Sequence, residues 1–286
     1  MINADTTVYG LFGYPVRHTF SPVMHNAAFR AIGLNSVYFA FEVEPEKIGN
    51  ALKGIVALGI DGVNLTIPHK ERALVYLDKL SPGARLIGAV NTIVRRNKKL
   101  IGHNTDGAGF VASLKKDAHL NPRGKNIFIL GAGGAAKAIA VELAKERASR
   151  IVLTDLVYHR AQNLALKVRQ AFSDCTVRVS ALKKKEMARN ILDSDLLINA
   201  TPIGMNKSDP LLVDEESLHP GLVVYDLIYN PRETRLLRCA RIRKLKVLNG
   251  LGMLLYQGAI SFKLWTGKKA PIEVMKRALV REIKKA

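Results

Sequence analysis

A lysine follows a half-apolar segment in the first quarter of the chain, in the stretch GVNLTIPHKERA from Gly62 to Ala73. If a strand runs through Ile67 and Pro68 ends it, Lys70 lies just beyond the carboxyl end of a sheet, where open α/β sheets bind ligands. An amine at such a place could exchange a proton with a bound hydroxyl group. The alternative is a solvated lysine in the first turn of a helix.

A glycine-rich turn near the middle of the chain has the pattern of a dinucleotide-binding loop. Gly131, Gly133 and Ala136 match G-x-G-x-x-G/A, within a predicted strand, turn, helix and second strand. Glycines there let the backbone approach a pyrophosphate, whose charge a helix N-terminus stabilises. Asp155 follows Gly131 by 24 residues, where a carboxylate accepts hydrogen bonds from the hydroxyls of an unphosphorylated ribose. This context favours a dinucleotide site over a plain tight turn.

The composition is that of a folded protein with two domains. At 286 residues, with 48% hydrophobic and 24% charged residues, the chain can bury two cores. It has no apolar run of the roughly 20 residues that a membrane span needs, and its start, MINADTTVYG, lacks the plan of a secretory signal. We therefore expect a cytoplasmic protein without a membrane partner. Cys175, Cys239 and the scattered histidines fit no ligand spacing, so we expect no metal.

The formal net charge of +20 comes largely from the runs LKKKEMAR, RCARIRKLK and KRALVREIKK. Such runs are typical of solvated helix faces. They could also raise the local concentration of anionic substrates, or bind nucleic acid without sequence preference. Because no nucleic-acid-binding motif accompanies the charge, we expect no specific nucleic-acid partner.

Strands alternate with helices along the chain, which predicts an α/β protein with mainly parallel sheets. Residues 1–105 are predicted to form one α/β domain, in which Ser21 caps the first helix and the turn RNKK joins the last two strands. Residues 106–249 are predicted to form a Rossmann dinucleotide-binding domain. Helices in residues 250–286 are expected to complete the first domain, so that a site lies in the cleft between the two.

Six motifs carry a resemblance to a known family. GYPVRHTFSP, NLTIPHKE, GAVNTI, GHNTDGAGF, GAGGAAKAI and NGLGMLLYQGAISFKLWTG follow one another in this order. Over nearly the whole chain they resemble the landmarks of the shikimate dehydrogenase family. The resemblance implies a substrate domain followed by a Rossmann domain. It also implies an enzyme that reversibly reduces 3-dehydroshikimate to shikimate with a nicotinamide cofactor, on the route to chorismate and the aromatic amino acids.

The resemblance assigns the catalytic lysine to Lys70 and the catalytic aspartate to Asp106. Oxidation of a secondary alcohol requires a group within hydrogen-bond reach that takes the hydroxyl proton as hydride leaves the carbon. We expect Lys70 to be that group and Asp106 to orient it, while the division of proton transfer between them stays open.

The substrate carboxylate is expected to bind Thr19 and Ser21, where the family usually has serine at the first position. The helix-capping role of Ser21 is compatible with this, because a helix N-terminus favours an anion. The further substrate contacts implied are Asn64, Thr66, Asn91, Tyr229 and Gln257. Alternation along the predicted strand places Asn64 and Thr66 on one face and Ile67 on the other.

The dinucleotide contacts expected from the motif and the resemblance are Gly131, Ala132, Gly133, Gly134, Ala135, Asp155, Arg160, Thr201, Leu227 and Gly250. NADP-dependent members commonly carry Asn-Arg-Thr after the second Rossmann strand, whereas this chain has Asp155 and Leu156 at the first two positions. A carboxylate there repels a 2′-phosphate, although Arg160 keeps one basic residue nearby. We therefore expect NAD to be preferred or well used, with NADP the family's usual cofactor.

Two alternatives remain open. The first is a quinate or dual quinate/shikimate dehydrogenase of the same family, whose substrate differs by little more than one ring hydroxyl. The second is a basic nucleic-acid-binding protein with a relic Rossmann domain. The sequence also leaves the oligomeric state open between monomer and homodimer.

Overall fold

The computed structural model of the protein describes residues 2–284. The chain divides into two compact units, of which the second is Phe110–Met253, and the first comprises the chain before it and the chain from Leu254 onward. The predicted boundaries fell after residues 105 and 249. Lys285 and Ala286, at the end of the predicted first domain, lie outside the described residues. No helix within residues 2–284 is long and apolar enough to cross a membrane.

The first unit is built on a six-stranded sheet with the order β2-β1-β3-β5-β6-β4. Its strands are β1 (Thr7–Gly13), β2 (Ser36–Glu42), β3 (Gly62–Leu65), β4 (Lys79–Leu80), β5 (Thr92–Arg96) and β6 (Lys99–His103). β1 is parallel to β2 and β3, and β4 is parallel to β6, whereas β5 is antiparallel to β3 and β6. Parallel pairings predominate, as predicted.

β5 and β6 form a hairpin that carries part of the site. The register pairs Thr92 with His103 and Arg96 with Lys99. The two residues between the strands, at positions 97 and 98, have φ values of 48° and 65°, and a two-residue type I′ turn needs positive φ at both of these places. The predicted pair of strands about RNKK is thus confirmed.

The second unit contains a six-stranded parallel sheet with the order β12-β11-β10-β7-β8-β9. Its strands are β7 (Asn126–Leu130), β8 (Arg150–Thr154), β9 (Thr176–Val179), β10 (Leu196–Asn199), β11 (Val223–Asp226) and β12 (Lys246–Leu248). Residues 127–130 are apolar and buried, as expected for a central strand with both faces covered. The order is that of the Rossmann fold, with the topological switch point between β7 and β10.

Helices connect and cover the strands in both units. Within residues 2–284 they are α1 (Ser21–Ala31), α2 (Ile48–Ala57), α3 (His69–Arg72), α4 (Pro82–Ile87), α5 (Asp106–Asp117), α6 (Gly134–Lys145), α7 (Tyr158–Ala171), α8 (Lys184–Leu192), α9 (Arg235–Ile242), α10 (Leu251–Thr266) and α11 (Ile272–Ile283). The α/β class predicted from the alternation of patterns is confirmed.

The start of α1 differs from the prediction. Its N-cap is Phe20, and Ser21 is the first helical residue. The backbone N–H of Ser21 donates to Thr19 Oγ1 at 3.3 Å. The hydroxyl of Thr19 thus satisfies one backbone donor at the start of the helix. The predicted capping role of Ser21 is therefore wrong.

β3 ends at Leu65, two residues before the predicted end. The carbonyl of Thr66 accepts a hydrogen bond from the N–H of His69 at 2.8 Å, which turns the chain away from the sheet and into α3. Thr66 and Ile67 lie beyond this end, and Ile67 is 67% exposed, so their predicted places on two faces of the strand are wrong. Lys70 nevertheless lies shortly beyond the carboxyl end of a strand.

His25 of α1 is buried in an aromatic cluster of the first unit. Its ring stacks on Tyr38 with centroids 4.5 Å apart, and Phe29, Phe262 and Trp265 surround it. Neither ring nitrogen has a hydrogen-bond partner within the described residues. Burial lowers the pKa of His25 to about 3, so the imidazole is neutral in the folded protein at neutral pH.

We expect His25 to make the protein less stable in acid. Since its pKa is depressed only in the folded state, the unfolded chain takes up a proton below about pH 6.5 and the folded chain does not. The contribution of His25 to the free energy of unfolding is complete above about pH 6.5. Below that it falls by about 1.4 kcal/mol per pH unit toward pH 3. His25→Phe should therefore remove about 2 kcal/mol of the loss between pH 7 and pH 5, measured by chemical denaturation. The exposed His159→Phe is the control. If the free energy of unfolding falls with pH as steeply in His25→Phe as in the unaltered protein, the expectation is wrong.

Candidate active site

Lys70 and Asp106 form a partly buried ion pair in the first unit. Lys70 lies in α3, after β3, and Asp106 is the first residue of α5, shortly after β6. Lys70 Nζ donates to Asp106 Oδ2 at 2.6 Å, and the two side chains are 17% and 5% exposed. A solvated surface lysine is thereby contradicted. Charged groups that are this far removed from water need a close partner of opposite charge. Ion pairs of this kind are frequent at functional sites.

Asn91, immediately before β5, holds the other oxygen of Asp106. Its Nδ2 donates to Asp106 Oδ1 at 2.8 Å and to Thr105 Oγ1 at 2.9 Å. Its Oδ1 accepts from the backbone N–H of Thr105 at 2.8 Å, and Gln257 Oε1 of α10 lies 3.3 Å from its Nδ2. With Lys70 on one oxygen and Asn91 on the other, the carboxylate of Asp106 is held in one orientation.

The amide of Asn64 is hydrogen-bonded at both ends. Its Oδ1 accepts from the hydroxyl of Tyr38 at 2.8 Å. Its Nδ2 lies 3.0 Å from the carbonyl oxygen of Asn91, 3.0 Å from Thr92 Oγ1 and 3.1 Å from Ser261 Oγ. Oδ1 has a second lone pair, with which it can accept one further hydrogen bond.

Four residues of this network were not predicted, namely Tyr38, Thr92, Thr105 and Ser261. Thr92 and Thr105 lie inside the motifs GAVNTI and GHNTD, next to residues that were predicted. Ser261 follows Gln257 by four residues in α10 and donates to its carbonyl at 3.0 Å, a helical spacing that could have indicated it. Tyr38 carries no comparable sequence signal.

The hydroxyls of Thr19 and Ser21 lie together at the start of α1. Thr19 Oγ1 donates to Ser21 Oγ at 3.3 Å, and within the described residues these two hydroxyls make no hydrogen bond to Lys70 or Asp106. A helix N-terminus and two hydroxyls can together bind a carboxylate. Thr66 is half-buried just after β3, and Tyr229 is half-buried after β11 in the second unit.

The glycine-rich turn joins β7 to α6 at the switch point of the second sheet. Gly131 has a φ of 102°, and a Cβ there would lie 3.0 Å from the carbonyl oxygen of Ala200. At Gly133 a Cβ would meet no atom within 4 Å, so the missing side chain leaves this backbone open to a ligand. Gly133 is the N-cap of α6 and no side chain caps the helix. The amides of Gly134 and Ala135 therefore lack intrahelical acceptors, and this set of donors fits a pyrophosphate.

Asp155 directly follows β8, as predicted. Its Oδ2 accepts from the N–H of Ala132 in the glycine turn at 2.7 Å, and its Oδ1 accepts from the N–H of Val157 at 2.8 Å. Each oxygen keeps a lone pair for further donors such as ribose hydroxyls. The neighbouring Leu156 is 89% exposed, and Arg160 in α7 is also exposed.

Thr201, Leu227 and Gly250 follow the carboxyl ends of β10, β11 and β12. Asn199 joins the first two strand ends, since its Nδ2 donates to Asp226 Oδ1 at 3.1 Å and its Oδ1 accepts from the N–H of Thr201 at 3.0 Å. Burial raises the pKa of Asp226, and its hydrogen bonds oppose that shift. Position 250 must be glycine, because the carbonyl of Leu227 occupies the space that a side chain would need. Within residues 2–284 no group of His, Cys, Asp and Glu could hold a metal ion.

Two family models match the chain. The model described as the shikimate dehydrogenase substrate binding domain matches residues 11–93. The model described as the shikimate 5'-dehydrogenase C-terminal domain matches residues 250–280. Asp106 and the glycine turn lie between the two matched ranges.

Similar proteins cover the chain from end to end. A shikimate dehydrogenase (NADP(+)) from Methanopyrus kandleri is 46% identical over 285 residues, which cover 99% of this chain and 98% of the relative. A shikimate dehydrogenase (NADP(+)) from Methanocaldococcus jannaschii is 47% identical, with both chains covered completely. The crystal structure of a shikimate 5-dehydrogenase from Listeria monocytogenes, in complex with shikimate and NAD, has a TM-score of 0.89 at 38% identity and covers 97% of this chain and 98% of that one.

Proposed function

This chain belongs to the shikimate dehydrogenase family, and from that we propose that it catalyses the reversible reduction of 3-dehydroshikimate to shikimate with a nicotinamide dinucleotide. The observation that carries the proposal is the partly buried Lys70–Asp106 pair, 2.6 Å apart, in a chain 46% identical to a shikimate dehydrogenase along its length. The reaction is a step on the route to chorismate and the aromatic amino acids. The first unit binds the substrate, and the second binds the dinucleotide.

Lys70 carries the proton in this mechanism. The bound dinucleotide supplies a hydride to the carbonyl carbon, and the carbonyl oxygen needs a proton as its negative charge develops. The ammonium group of Lys70 donates that proton, and in the reverse direction the amine accepts the proton of the shikimate hydroxyl. Because Nζ has three donor positions, it can hold Asp106 and the substrate oxygen together.

Asp106 orients the lysine and a substrate hydroxyl. Its Oδ2 accepts from Lys70 and its Oδ1 from Asn91, which leaves one further acceptor position on each oxygen. Asn91 and Gln257 lie in the same network and contact the ring hydroxyls. Asn64 and Thr66 are the further substrate contacts in the first unit.

Thr19 and Ser21 bind the substrate carboxylate. We expect the double substitution Thr19→Ala with Ser21→Ala to raise the KM for shikimate about tenfold or more and to leave kcat less affected, because hydrogen bonds to a charged group each contribute about 1.5–3 kcal/mol. Initial-rate kinetics measure both constants. Melting must be compared too, since Thr19 accepts a hydrogen bond at the start of α1. A KM equal to that of the unaltered protein would place the carboxylate elsewhere.

The dinucleotide binds at the glycine turn, with its pyrophosphate on the amides of Gly134 and Ala135 and its adenosine ribose on Asp155. Thr201, Leu227 and Gly250 line the nicotinamide side. NAD is preferred or at least well used, because the carboxylate of Asp155 repels a 2′-phosphate and the adjacent residue is Leu156, not an arginine. The crystal structure of the similar Listeria monocytogenes enzyme with NAD supports the use of NAD. The names of the relatives from Methanopyrus kandleri and Methanocaldococcus jannaschii, both NADP(+) enzymes, favour NADP.

The experiment that tests the function is a kinetic assay with shikimate and with quinate, each with NAD and with NADP. We expect shikimate to have the highest kcat/KM. A higher kcat/KM for quinate would replace the proposal with the quinate dehydrogenase alternative. No turnover with either acid, together with a salt-sensitive gel shift of nucleic acid, would favour the nucleic-acid-binding alternative.

A further inference from the structure

A basic cavity lies at the end of the second sheet that is opposite the glycine turn. It has a volume of about 820 Å³ and is lined by the segments that precede β7, β11 and β12 and by the chain that follows α5. In a parallel sheet these segments share the amino-terminal edge, whereas the glycine turn, Asp155 and Thr201 share the carboxyl edge. A five-residue strand such as β7 separates the edges by about 16 Å. The cavity contains none of the residues assigned above to substrate or cofactor.

The lining of this cavity has one sign of charge. Its basic side chains are His119, Arg123, Lys125, Arg243, Lys244 and Lys246, and the described lining residues include no Asp or Glu. Three of these come from RCARIRKLK, one of the basic runs of the sequence. Cavities lined by one charge focus the electrostatic field and concentrate counter-ions.

Two of these side chains already have partners. Lys125 pairs with Asp195 at 3.1 Å, and Lys246 donates to the carbonyl of Ala118 at 2.8 Å. The side chains of Arg123, Arg243 and Lys244 make no ion pair or hydrogen bond with any of residues 2–284. These three exposed side chains line one concavity and form a surface that an anion can neutralise.

We propose that this cavity binds a compact polyphosphate, a small molecule with two or three linked phosphate groups. The guanidinium groups of Arg123 and Arg243 offer forked donors that match phosphate oxygens. A cavity of about 820 Å³ has the size of a small-molecule site. The lining contains no Phe, Tyr or Trp, so it lacks the stacking platforms that single-stranded nucleic acid uses. The proposal does not depend on the proposed dehydrogenase activity.

The test is a calorimetric titration of the full chain with tripolyphosphate. The glycine turn also fits phosphate, so the titration is run with saturating NADP and again with saturating NAD. We expect one tripolyphosphate per chain. Arg123→Gln with Arg243→Gln should weaken its binding at least about tenfold, because charge-assisted hydrogen bonds are lost. The matched control is Arg178→Gln with Arg189→Gln, which removes the same charge from exposed positions of the second unit and should change binding less than about twofold.

Three outcomes would overturn the proposal. One is the absence of tripolyphosphate binding when the dinucleotide is present. Another is equal weakening by both pairs of substitutions, which would assign the affinity to the net charge of +20 and not to the cavity. The third is tighter binding of a single-stranded oligonucleotide, lost with the same arginines, which would make the surface a nucleic-acid site. Unchanged melting and dehydrogenase turnover show that the variant pair is folded, and Arg123→Lys with Arg243→Lys should retain most of the binding because it keeps the charge.

Discussion

Replacement of Lys70 by alanine should lower kcat by about 10²–10⁴-fold, because a positioned acid/base contributes that much to the rate. The effect on KM should be smaller. Asp106 keeps its hydrogen bond from Asn91, so the site stays ordered, and dinucleotide binding should be unchanged because the glycine turn belongs to the second unit. Initial-rate kinetics, dinucleotide titration and melting measure the three quantities. The exposed Lys53→Ala is the matched control and should have nearly normal turnover.

The double substitution Lys70→Ala with Asp106→Asn tests whether the two residues act as a unit. Groups that act as a unit are not additive, so the double variant should be little slower than Lys70→Ala alone. Additive losses would indicate that Asp106 acts independently of the lysine. Turnover near that of the unaltered protein in Lys70→Ala would remove the assignment of Lys70.

The unaltered protein should use NAD at least as efficiently as NADP, and Asp155→Asn with Leu156→Arg should move the preference toward NADP. Like charges brought together cost several kcal/mol, and the new arginine can bind a 2′-phosphate. We therefore expect the ratio of kcat/KM for NADP to kcat/KM for NAD to rise by about 100-fold or more. The relatives described as NADP(+) enzymes make this the sharpest test of the chain's own residues. A clear preference of the unaltered protein for NADP would overturn the assignment of Asp155.

Single variants separate charge from backbone support in this experiment. Asp155 accepts hydrogen bonds from the N–H groups of Ala132 and Val157, and an asparagine keeps only one accepting oxygen. Asp155→Asn alone can therefore loosen the glycine turn and weaken both dinucleotides, which melting would report. Leu156→Arg alone keeps the carboxylate and should shift the ratio less than the double variant. The exposed Leu166→Arg adds the same charge within α7 and should leave the ratio unchanged.

The second unit was the more predictable part of the fold. A continuous apolar strand, a glycine turn and a following helix have local patterns, and they predicted the βαβ order and the position of Asp155. What the sequence could not reveal is that both oxygens of Asp155 are already bonded to backbone amides. Those contacts depend on the path of two loops and have no residue signature.

The first unit shows where local patterns end. Ser21 has the residue type of a helix cap, yet it is the first helical residue and Phe20 is the N-cap. Thr19 accepts the hydrogen bond from the N–H of Ser21 at the start of α1. The hydroxyl of Tyr38 reaches Asn64 from 26 residues away, and Ser261 reaches it from 197 residues away. Contacts of that kind arise only when the sheet and α10 are assembled, so the family resemblance could supply single positions but not the network that joins them.

The hairpin of β5 and β6 makes the length of an exposed turn a condition for the site. Asn91 precedes the hairpin and Thr105 follows it, so the count of residues across Asn97 and Lys98 decides which side chains meet. One inserted residue would shift one strand by a single step and turn its side chains to the opposite face of the sheet. Surface turns usually accept insertions and deletions between homologues. This one should hold its length and favour residues that tolerate positive φ, such as Asn and Gly, which makes it a poor place for an affinity tag or a grafted loop.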